Sequence, residues 1–358
     1  MIEAIREQKM RKEILYFEDF QVGEEGETCG RTFTEGDLVQ FAGIACDFCP
    51  PHMDRHMMAS TPYGERISHG FFLNSLATGM LSWHAPHIAG RDTPTAYLRS
   101  LSSHFPIGLR IGDTVKFHWS IKKKTEDPAL RGFGIAKTAF HFINQDGGIA
   151  AEGTVTTGVR MRDAEGVMPQ FKPGAAWQFE EWDVDFNKVH YYEDFIVGKG
   201  EKTGGRVITE TDVVNYMGLM GDYDRLYTDL LYAKETLFGE RIVPPMLVAD
   251  FVGLALRDGS YFNIKKPFVP YAGHLGDDIT FIAPARIGDI LYTIFKIESA
   301  RISKTKPDRG VLVIGHQVVN QRNEALVEVR LATTVPLRAA LAVEPREIMW
   351  VLHNIKQG

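Results

Sequence analysis

The segment Tyr16–Gly23, which reads YFEDFQVG, returns in the middle of the chain as YYEDFIVG at Tyr191–Gly198. The offset between the two copies is 191 − 16 = 175 residues. The same offset relates the sequence GERI at 64–67 to a second GERI at 239–242. Repetition at a fixed spacing indicates one structural unit made twice. In a chain of 358 residues, each copy is large enough to bury a core of its own.

Both copies carry the same order of predicted elements. Thr34 and Thr209, each followed by acidic residues, predict helix starts. An apolar helix follows at 71–84 and at 246–258, and a helix that is apolar on most sides is expected to be buried. Four strand-like runs complete each copy, at 96–105, 114–123, 132–144 and 149–161, then at 268–283, 290–302, 311–320 and 325–336. This pattern predicts an α+β fold with two antiparallel sheets, each wrapped around a central apolar helix.

The repeat also sets the predicted domain boundaries. Residues 1–163 form the first unit, and residues 191–336 form the second. Between them, residues 164–190 contain prolines and acidic residues without a clear period, which is typical of a linker. Residues 337–358 are predicted to be a C-terminal tail.

Composition excludes several classes of protein. A net charge of −6 argues against nucleic acid as a partner, because phosphate binding needs a basic face. Three cysteines do not make a disulfide framework. The first eleven residues lack the apolar core of a secretory signal, and no run of about 20 apolar residues predicts a membrane span. We therefore expect a cytoplasmic protein with no membrane partner.

The strongest candidate for chemistry is the segment Cys46–His52, which reads CDFCPPH. On one continuous helix, Asp47 and His52 would point about 140° apart. The two prolines prevent that geometry, so Asp47 is expected in the last helical turn and His52 in the loop beyond it. A carboxylate and an imidazole can then converge on one water or one substrate atom, as general acid–base catalysis requires.

A second candidate lies immediately before the central apolar helix. Gly70 offers an unencumbered amide at the positive end of the helix dipole, where an oxyanion can bind. The offset of 175 carries His52 to Tyr227, and carries Gly70 to Pro245, which has no amide hydrogen. The second copy has lost both groups, so the sequence predicts one working site and one inactive site.

These motifs resemble those of the MaoC-like dehydratases, also called R-specific enoyl-CoA hydratases. The family motif Gly-Asp-x-Asn-Pro-x-His corresponds to Cys46–His52, and the following family segment corresponds to Tyr63–Gly70. The resemblance implies a double hot-dog fold and the reversible hydration of a 2-enoyl-CoA to a 3-hydroxyacyl-CoA. It implies that Asp47 orients or deprotonates the water and that His52 exchanges the proton at the α-carbon.

The same resemblance implies further contacts. The Gly70 amide would hold the thioester oxygen, and Thr78 would help to position the site. Tyr63 and His69 are candidate substrate contacts, and Arg99 is a candidate for the CoA phosphates or for a solvated strand edge. No cofactor is implied, because CoA is part of the substrate. Two such chains could pair into a homo-oligomer.

Several alternatives stay open. The family Gly and Asn are Cys46 and Cys49 here, so the acyl group of the substrate is not readable. These cysteines also form a CxxC with His52 three residues beyond, which raises zinc or redox chemistry, although supporting ligands are lacking. Hot-dog folds also host thioesterases, and a non-catalytic acyl-CoA-binding subunit is a third possibility. We expect no metal.

Overall fold

The computed structural model describes residues 15–59, 61, 63–84, 96–164, 166–169, 171–182, 190–257 and 273–340. The start of the chain, most of the predicted tail and the first residues of the predicted strand 268–283 lie outside the described residues.

The first half contains four helices and six strands among the described residues. They are β1 (Glu25–Glu27), β2 (Arg31–Thr32), α1 (Glu35–Ala45), α2 (Pro50–Met53), α3 (Arg55–Ala59), α4 (Gly70–His84), β3 (Ala96–His104), β4 (Thr114–Glu126), β5 (Phe133–Asn144) and β6 (Ile149–Arg160). The predicted strands differ from these by at most three residues at an end.

The segment between the halves adds β7 (Gly174–Ala175) and β8 (Glu180–Glu181). The second half repeats the first, with β9 (Lys199–Lys202), β10 (Arg206–Val207), α5 (Glu210–Met220), α6 (Leu230–Glu235), α7 (Pro245–Asp250), α8 (Gly253–Arg257), β11 (Gly273–Phe281), β12 (Ile290–Ile302), β13 (Arg309–Val319) and β14 (Glu324–Pro336).

The first helix of each half begins as its sequence predicts. The hydroxyl of Thr34 accepts a hydrogen bond from the Asp37 amide at 3.2 Å, while the Asp37 carboxylate accepts one from the Thr34 amide. Thr209 and Asp212 repeat this reciprocal arrangement in the second half. Such a capping box satisfies two amides that have no partner inside the helix.

The strands pair into one continuous sheet. Its main path runs β1-β4-β5-β6-β3-β11-β14-β13-β12-β9-β8, and every pairing is antiparallel except that of β8 with β9. The two predicted sheets therefore join edge to edge through β3 and β11, where Ser102 lies opposite Asp278. The α+β class with two wrapped halves is confirmed. Among the described residues, no helix has the length and apolar character needed to cross a bilayer.

Alternation on the strands explains how the sheet wraps. On β4, Val115, Phe117, Trp119 and Ile121 are buried, whereas the residues between them are partly or fully exposed. The buried side chains join the same core as those of α4, which is buried nearly all round. A curled sheet around an apolar helix removes both surfaces from water.

The central helix of the second half differs from its prediction. Instead of one helix it consists of α7 and α8, separated at Phe251 and Val252. The buried hydroxyl of Thr293 donates to the carbonyl of Phe251 at 2.7 Å. That carbonyl is thereby satisfied outside the helix, and the local amides form tighter bonds, such as Ala255 to Val252 at 3.0 Å.

Candidate active site

Asp47 leaves α1 through an unusual turn. Cys46 caps the helix with φ 61°, a left-handed conformation that favours glycine. Gly221 holds the equivalent position of the second half with φ 72°. Beyond the turn, the Asp47 carboxylate accepts a hydrogen bond from the amide of Cys49 at 3.1 Å. The cap and this bond together fix the direction of the carboxylate.

His52 lies in a short helix, not in the predicted loop. Pro50 and Pro51 occupy the first turn of α2, where the missing amide hydrogen costs nothing. The helix α1 has already ended at Ala45, with Cys46 as its cap, so the prolines serve only to begin the turn that carries His52. Nδ1 of His52 lies 2.8 Å from the carbonyl of Ile67, so it carries the hydrogen and donates. Nε2 is left with a lone pair.

The predicted convergence is present in the fold. Nε2 of His52 lies 3.9 Å from Oδ2 of Asp47. Both groups line a cavity, hereafter the Asp47 cavity, which encloses about 1070 Å³ including its open mouth. Gly70, the first residue of α4, lines the same cavity. Asp47, predicted in the last turn of α1, lies two residues beyond the end of that helix at Ala45. It shares one space with His52 of α2 and with the N-terminus of α4.

His69 supports this pair from the inner side. Its ring stacks on that of His52 with centroids 3.7 Å apart. Its Nε2 lies 3.0 Å from the backbone carbonyl of Asp47, to which it donates. His69 lines the cavity but is only 2% exposed. In this structure it positions the Asp47 backbone and the His52 ring; the substrate contact remains a prediction.

The electrostatics separate the roles of these groups. Burial acts to raise the pKa of Asp47, but His69, His52 and hydrogen bonds from Cys49 outweigh it, so the net pKa is lowered. Burial lowers the pKa of His52 despite the nearby Asp47 carboxylate. Burial and the adjacent His52 lower the pKa of His69 to about 3. At neutral pH the site therefore holds a carboxylate beside two neutral imidazoles.

Comparison with known proteins assigns each half. The MaoC-like domain family matches residues 19–129, and the FAS1-like dehydratase domain region matches residues 196–329. A 3-hydroxybutyryl-CoA dehydratase from Methylorubrum extorquens is 36% identical over 103 residues, which are 29% of this chain and 61% of that protein. In two further curated relatives, the matched region covers 31% and 65% of the relative's length, which is again less than two thirds.

Solved structures of similar fold cover nearly the whole chain. A protein from Chloroflexus aurantiacus described as a MaoC domain dehydratase gives a TM-score of 0.72 at 17% identity, covering 92% of this chain and 99% of that one. A Mycobacterium tuberculosis protein described as having a double hotdog fold gives 0.66 at 15% identity, covering 90% and 98%. At these identities the likeness establishes the fold.

The chain contains a MaoC-like dehydratase domain followed by a FAS1-like dehydratase region. The two together form a double hot-dog.

The FAS1-like half has a cavity at the equivalent place, hereafter the Asp222 cavity. Asp222 corresponds to Asp47 (222 − 175 = 47), and Tyr227 replaces the catalytic histidine candidate. Burial, and then the Asp224 charge, raise the pKa of Asp222 to about 7. One oxygen of this buried carboxylate has no hydrogen-bond partner. At the same position, the MaoC-like half therefore holds an ionised carboxylate and the FAS1-like half one that is largely protonated below neutral pH.

The remaining predicted site residues do not all lie at the Asp47 cavity. Tyr63 lines the Asp47 cavity. Thr78 does not line it; its hydroxyl donates to the carbonyl of Ser75, and its side chain lines the Asp222 cavity instead. Arg99 also lies outside both cavities and pairs with the buried Asp127. The structure thus joins Asp47, His52, His69, Gly70 and Tyr63, and places Thr78 and Arg99 elsewhere.

Sequence reasoning missed the residues that the FAS1-like half contributes to the Asp47 cavity. His274, His316 and Asp250 all line it. The sequence signal for His274 was its place on a predicted strand three residues before Asp277, a spacing that does not by itself indicate a site. Only the joining of β3 to β11 brings that strand against the MaoC-like half.

Asp47, His52 and His69 also bring possible metal-ligating atoms within 4.8 Å of one another. Nε2 of His69 donates its hydrogen to the Asp47 carbonyl, so it would have to release that bond before it could coordinate an ion. Among the described residues, Cys46 and Cys49 are not part of this group. The donor set as folded presents two free ligand atoms, fewer than the usual zinc site.

Proposed function

We propose that the chain catalyses the reversible hydration of a 2-enoyl-CoA to a 3-hydroxyacyl-CoA, at one site per chain. The observation that carries the proposal is the 3.9 Å separation between Oδ2 of Asp47 and Nε2 of His52. Both residues line a cavity that Gly70 also lines. A relative of the MaoC-like half is named 3-hydroxybutyryl-CoA dehydratase, which is the same reaction run in reverse.

The hydrogen-bonding pattern supports specific roles for the two groups. Nδ1 of His52 is occupied by the Ile67 carbonyl, so Nε2 is an acceptor while the ring is neutral. The Asp47 carboxylate is also an acceptor. One water between them can donate one hydrogen to each, which fixes its lone pair toward the substrate. Such positioning converts an encounter in solution into a reaction within one complex.

The proton transfers then involve His52 and the bound water, with Asp47 beside them. The water oxygen bonds to C3 while Nε2 of His52 takes one of its protons. The electron pair of the C2=C3 bond moves toward C1, and negative charge develops on the thioester oxygen. The Asp47 carboxylate stabilises the imidazolium that forms, and His52 returns the proton to C2. Water has been added across the double bond, and both side chains are restored.

Gly70 supplies the place for the thioester oxygen. It begins α4, and the first amides of a helix have no partner within the helix. These free amides form the positive end of the helix dipole, where a developing negative charge is stabilised. Pro245 begins α7 in the FAS1-like half without such an amide. This difference supports a single oxyanion site in the MaoC-like half.

The walls of the Asp47 cavity suit an acyl chain. Apolar side chains from both halves line it, including Phe71, Phe105, Leu109, Val252 and Leu331. An apolar surround strengthens the electrostatic contacts of the few polar groups inside it. A 2-enoyl group, which is apolar apart from its thioester, matches this distribution.

The test is a panel of 2-enoyl-CoA thioesters of different acyl groups, followed by loss of the conjugated enoyl absorbance. Free thiol is measured in parallel. We expect hydration without thiol release, and we expect it to be lost in His52→Ala. Thiol release as the main reaction would identify a thioesterase, and binding without either reaction would identify an acyl-CoA-binding subunit.

A further inference from the structure

The FAS1-like half sends a histidine into the Asp47 cavity. His274 lies near the start of β11 and lines the cavity together with His52 and Gly70. A Cβ atom placed on Gly70 would lie 2.6 Å from Nδ1 of His274. Because glycine has no Cβ, the ring can reach the first residue of α4. Nδ1 of His274 therefore borders the place assigned to the thioester oxygen.

A buried carboxylate fixes this ring. Nε2 of His274 lies 2.8 Å from Oδ1 of Asp277, whose side chain has no exposed surface. The other oxygen of Asp277 accepts a hydrogen bond from Nδ2 of Asn74 on α4, at 2.9 Å. Because the carboxylate accepts at both oxygens, Nε2 of His274 carries a hydrogen and donates it. Nδ1 is left to face the cavity.

The other half of the repeat has no such pair. In the strands the offset between copies is 288 − 112 = 176, measured between the matching Gly-Asp turns. By that offset His274 corresponds to Leu98 (274 − 176 = 98). Both strands also have a register irregularity at this point, between Leu98 and Ser100 and between His274 and Gly276. The two positions are therefore structurally equivalent.

The same offset carries Asp277 to Leu101 (277 − 176 = 101), a buried residue of the apolar core. Leu98 lines the Asp222 cavity, as His274 lines the Asp47 cavity. A requirement of the fold alone would be met by leucine in both halves. The imidazole–carboxylate pair occurs on the side that keeps Asp47 and His52, which links it to the chemistry of that cavity.

The other imidazoles of the cavity are neutral. Burial is the main cause that lowers the pKa of His52, and it lowers the pKa of His316 to about 3. A positive charge on His274 lowers both further. The ring of His52 lies 3.9 Å from the Asp47 carboxylate and lacks the direct hydrogen bond that His274 has with Asp277. His274 is thus an imidazole of this cavity whose ring is hydrogen-bonded to a buried carboxylate side chain.

We propose that His274 is a catalytic residue that the FAS1-like half supplies to the site in the MaoC-like half. Its imidazolium donates the Nδ1 hydrogen to the thioester oxygen, beside the Gly70 amide, while Asp277 and Asn74 act as positioning residues. This inference rests on the proposed hydration. Charge arrives on the oxygen when the C2=C3 pair moves toward C1, and leaves it when His52 returns the proton to C2. His274 keeps its own proton throughout.

The kinetic test compares His274→Ala, His274→Gln and Asp277→Asn with wild type. Removal of one oxyanion donor is expected to lower kcat by about 10²-fold to 10³-fold with little change in KM, because the charge exists only in the transition state. Asp277→Asn is expected to give a smaller loss of the same kind. His104→Ala is the matched control, since His104 is exposed on β3 and its ring contacts the backbone carbonyl of Leu275, the residue next to His274 on β11.

The second test uses acetoacetyl-CoA, whose enolate has its own ultraviolet absorption. We expect wild type and His52→Ala to increase the bound enolate and His274→Ala to lose it, with melting temperatures recorded for each variant. Hydration in His274→Ala within about twofold of wild type, with the enolate signal intact, would overturn the inference. A His274-dependent enolate signal in a wild type that hydrates no enoyl-CoA would support the inference and overturn the proposed function.

Discussion

The hydroxyl oxygen of Ser75 lies within hydrogen-bond distance of both carboxyl oxygens of Asp250, at 3.1 and 2.9 Å. The two residues are 175 positions apart, which is the offset of the repeat, and each lies on the central helix of its half. The helices therefore meet at equivalent points, on the axis that relates the two halves. In a symmetric dimer, a residue at this point would meet its own copy. In this chain a hydroxyl meets a carboxyl instead.

Asp250 makes the stability of this junction depend on pH. Burial raises the pKa of Asp250 well above its usual value, against the Ser75 hydrogen bond and with the help of Asp277. The folded state then keeps a proton that the unfolded state releases, so stability falls as pH rises from the ordinary Asp pKa toward the folded pKa. Asp250→Asn should remove about 1.4 kcal/mol of this loss for each pH unit of that interval.

Chemical unfolding at several pH values measures this effect, with Asp278→Asn on the exposed side of β11 as the control. A pH dependence that is unchanged in Asp250→Asn would show that the carboxyl is ionised in the folded state.

The equivalent positions of the two halves should differ sharply in their effect on activity. Asp47→Asn and His52→Ala are expected to lower hydration by about 10²-fold to 10⁴-fold, because each removes a group that handles the water. Tyr227→Phe is expected to leave most of the activity, since Tyr227 lines the other cavity. If Tyr227→Phe proved the more damaging change, the working site would lie in the FAS1-like half.

The pH dependence of hydration follows from His52. The base must be neutral, and burial lowers the pKa of His52 below its usual 6.5. We therefore expect kcat/KM to rise with pH on the acid side of its profile, with the midpoint of this rise below pH 6.5. Asp47→Asn removes a nearby anion and should lower the pKa of His52 further, which NMR titration of the ring can measure. A midpoint above 6.5 would mean that His52 is charged in the resting site.

The three thiols should differ in reactivity. Cys29 is exposed, whereas Cys46 and Cys49 are buried. Burial and the neighbouring Asp47 raise the pKa of the Cys49 thiol well above its usual value. Because only the thiolate reacts readily, an aromatic disulfide reagent should label one thiol of the native protein quickly and the other two after unfolding. Cys29→Ser is the control, and rapid labelling that persists in this variant would contradict the buried placement.

Metal ions should not support the reaction. Chelation by EDTA is expected to leave hydration unchanged, because the proposed steps use only Asp47, His52, Gly70 and His274. Added Zn²⁺ is expected to inhibit, since it would coordinate the same Asp47 and His52 atoms that hold the water. Metal analysis of the purified protein accompanies the assay. Activity that EDTA abolishes and Zn²⁺ restores would make the Asp47–His52–His69 group a metal centre.

The residues that the MaoC-like half contributes to the site were largely predictable from the sequence. The CDFCPPH segment and the glycine before an apolar helix are local patterns, and the fold places Asp47, His52 and Gly70 in one cavity. The prediction that His52 lies in a loop was wrong, because Pro50 and Pro51 begin a short helix of their own. The position of Thr78 was harder to predict. Its helix is buried nearly all round, so the sequence does not show which of the two cavities a given side chain on that helix will line.

The sequence by itself determined that the fold is made twice, where the long strands and the first helix of each half lie, and which copy keeps the acid–base pair, because repeats, caps and alternation are properties of short segments. Only the tertiary structure decided that His274 faces Gly70 and that Asp250 meets Ser75. Those contacts join residues at least 175 positions apart, and they exist because the sheets pair edge to edge at β3 and β11. No local periodicity encodes which surface of one half will be pressed against the other.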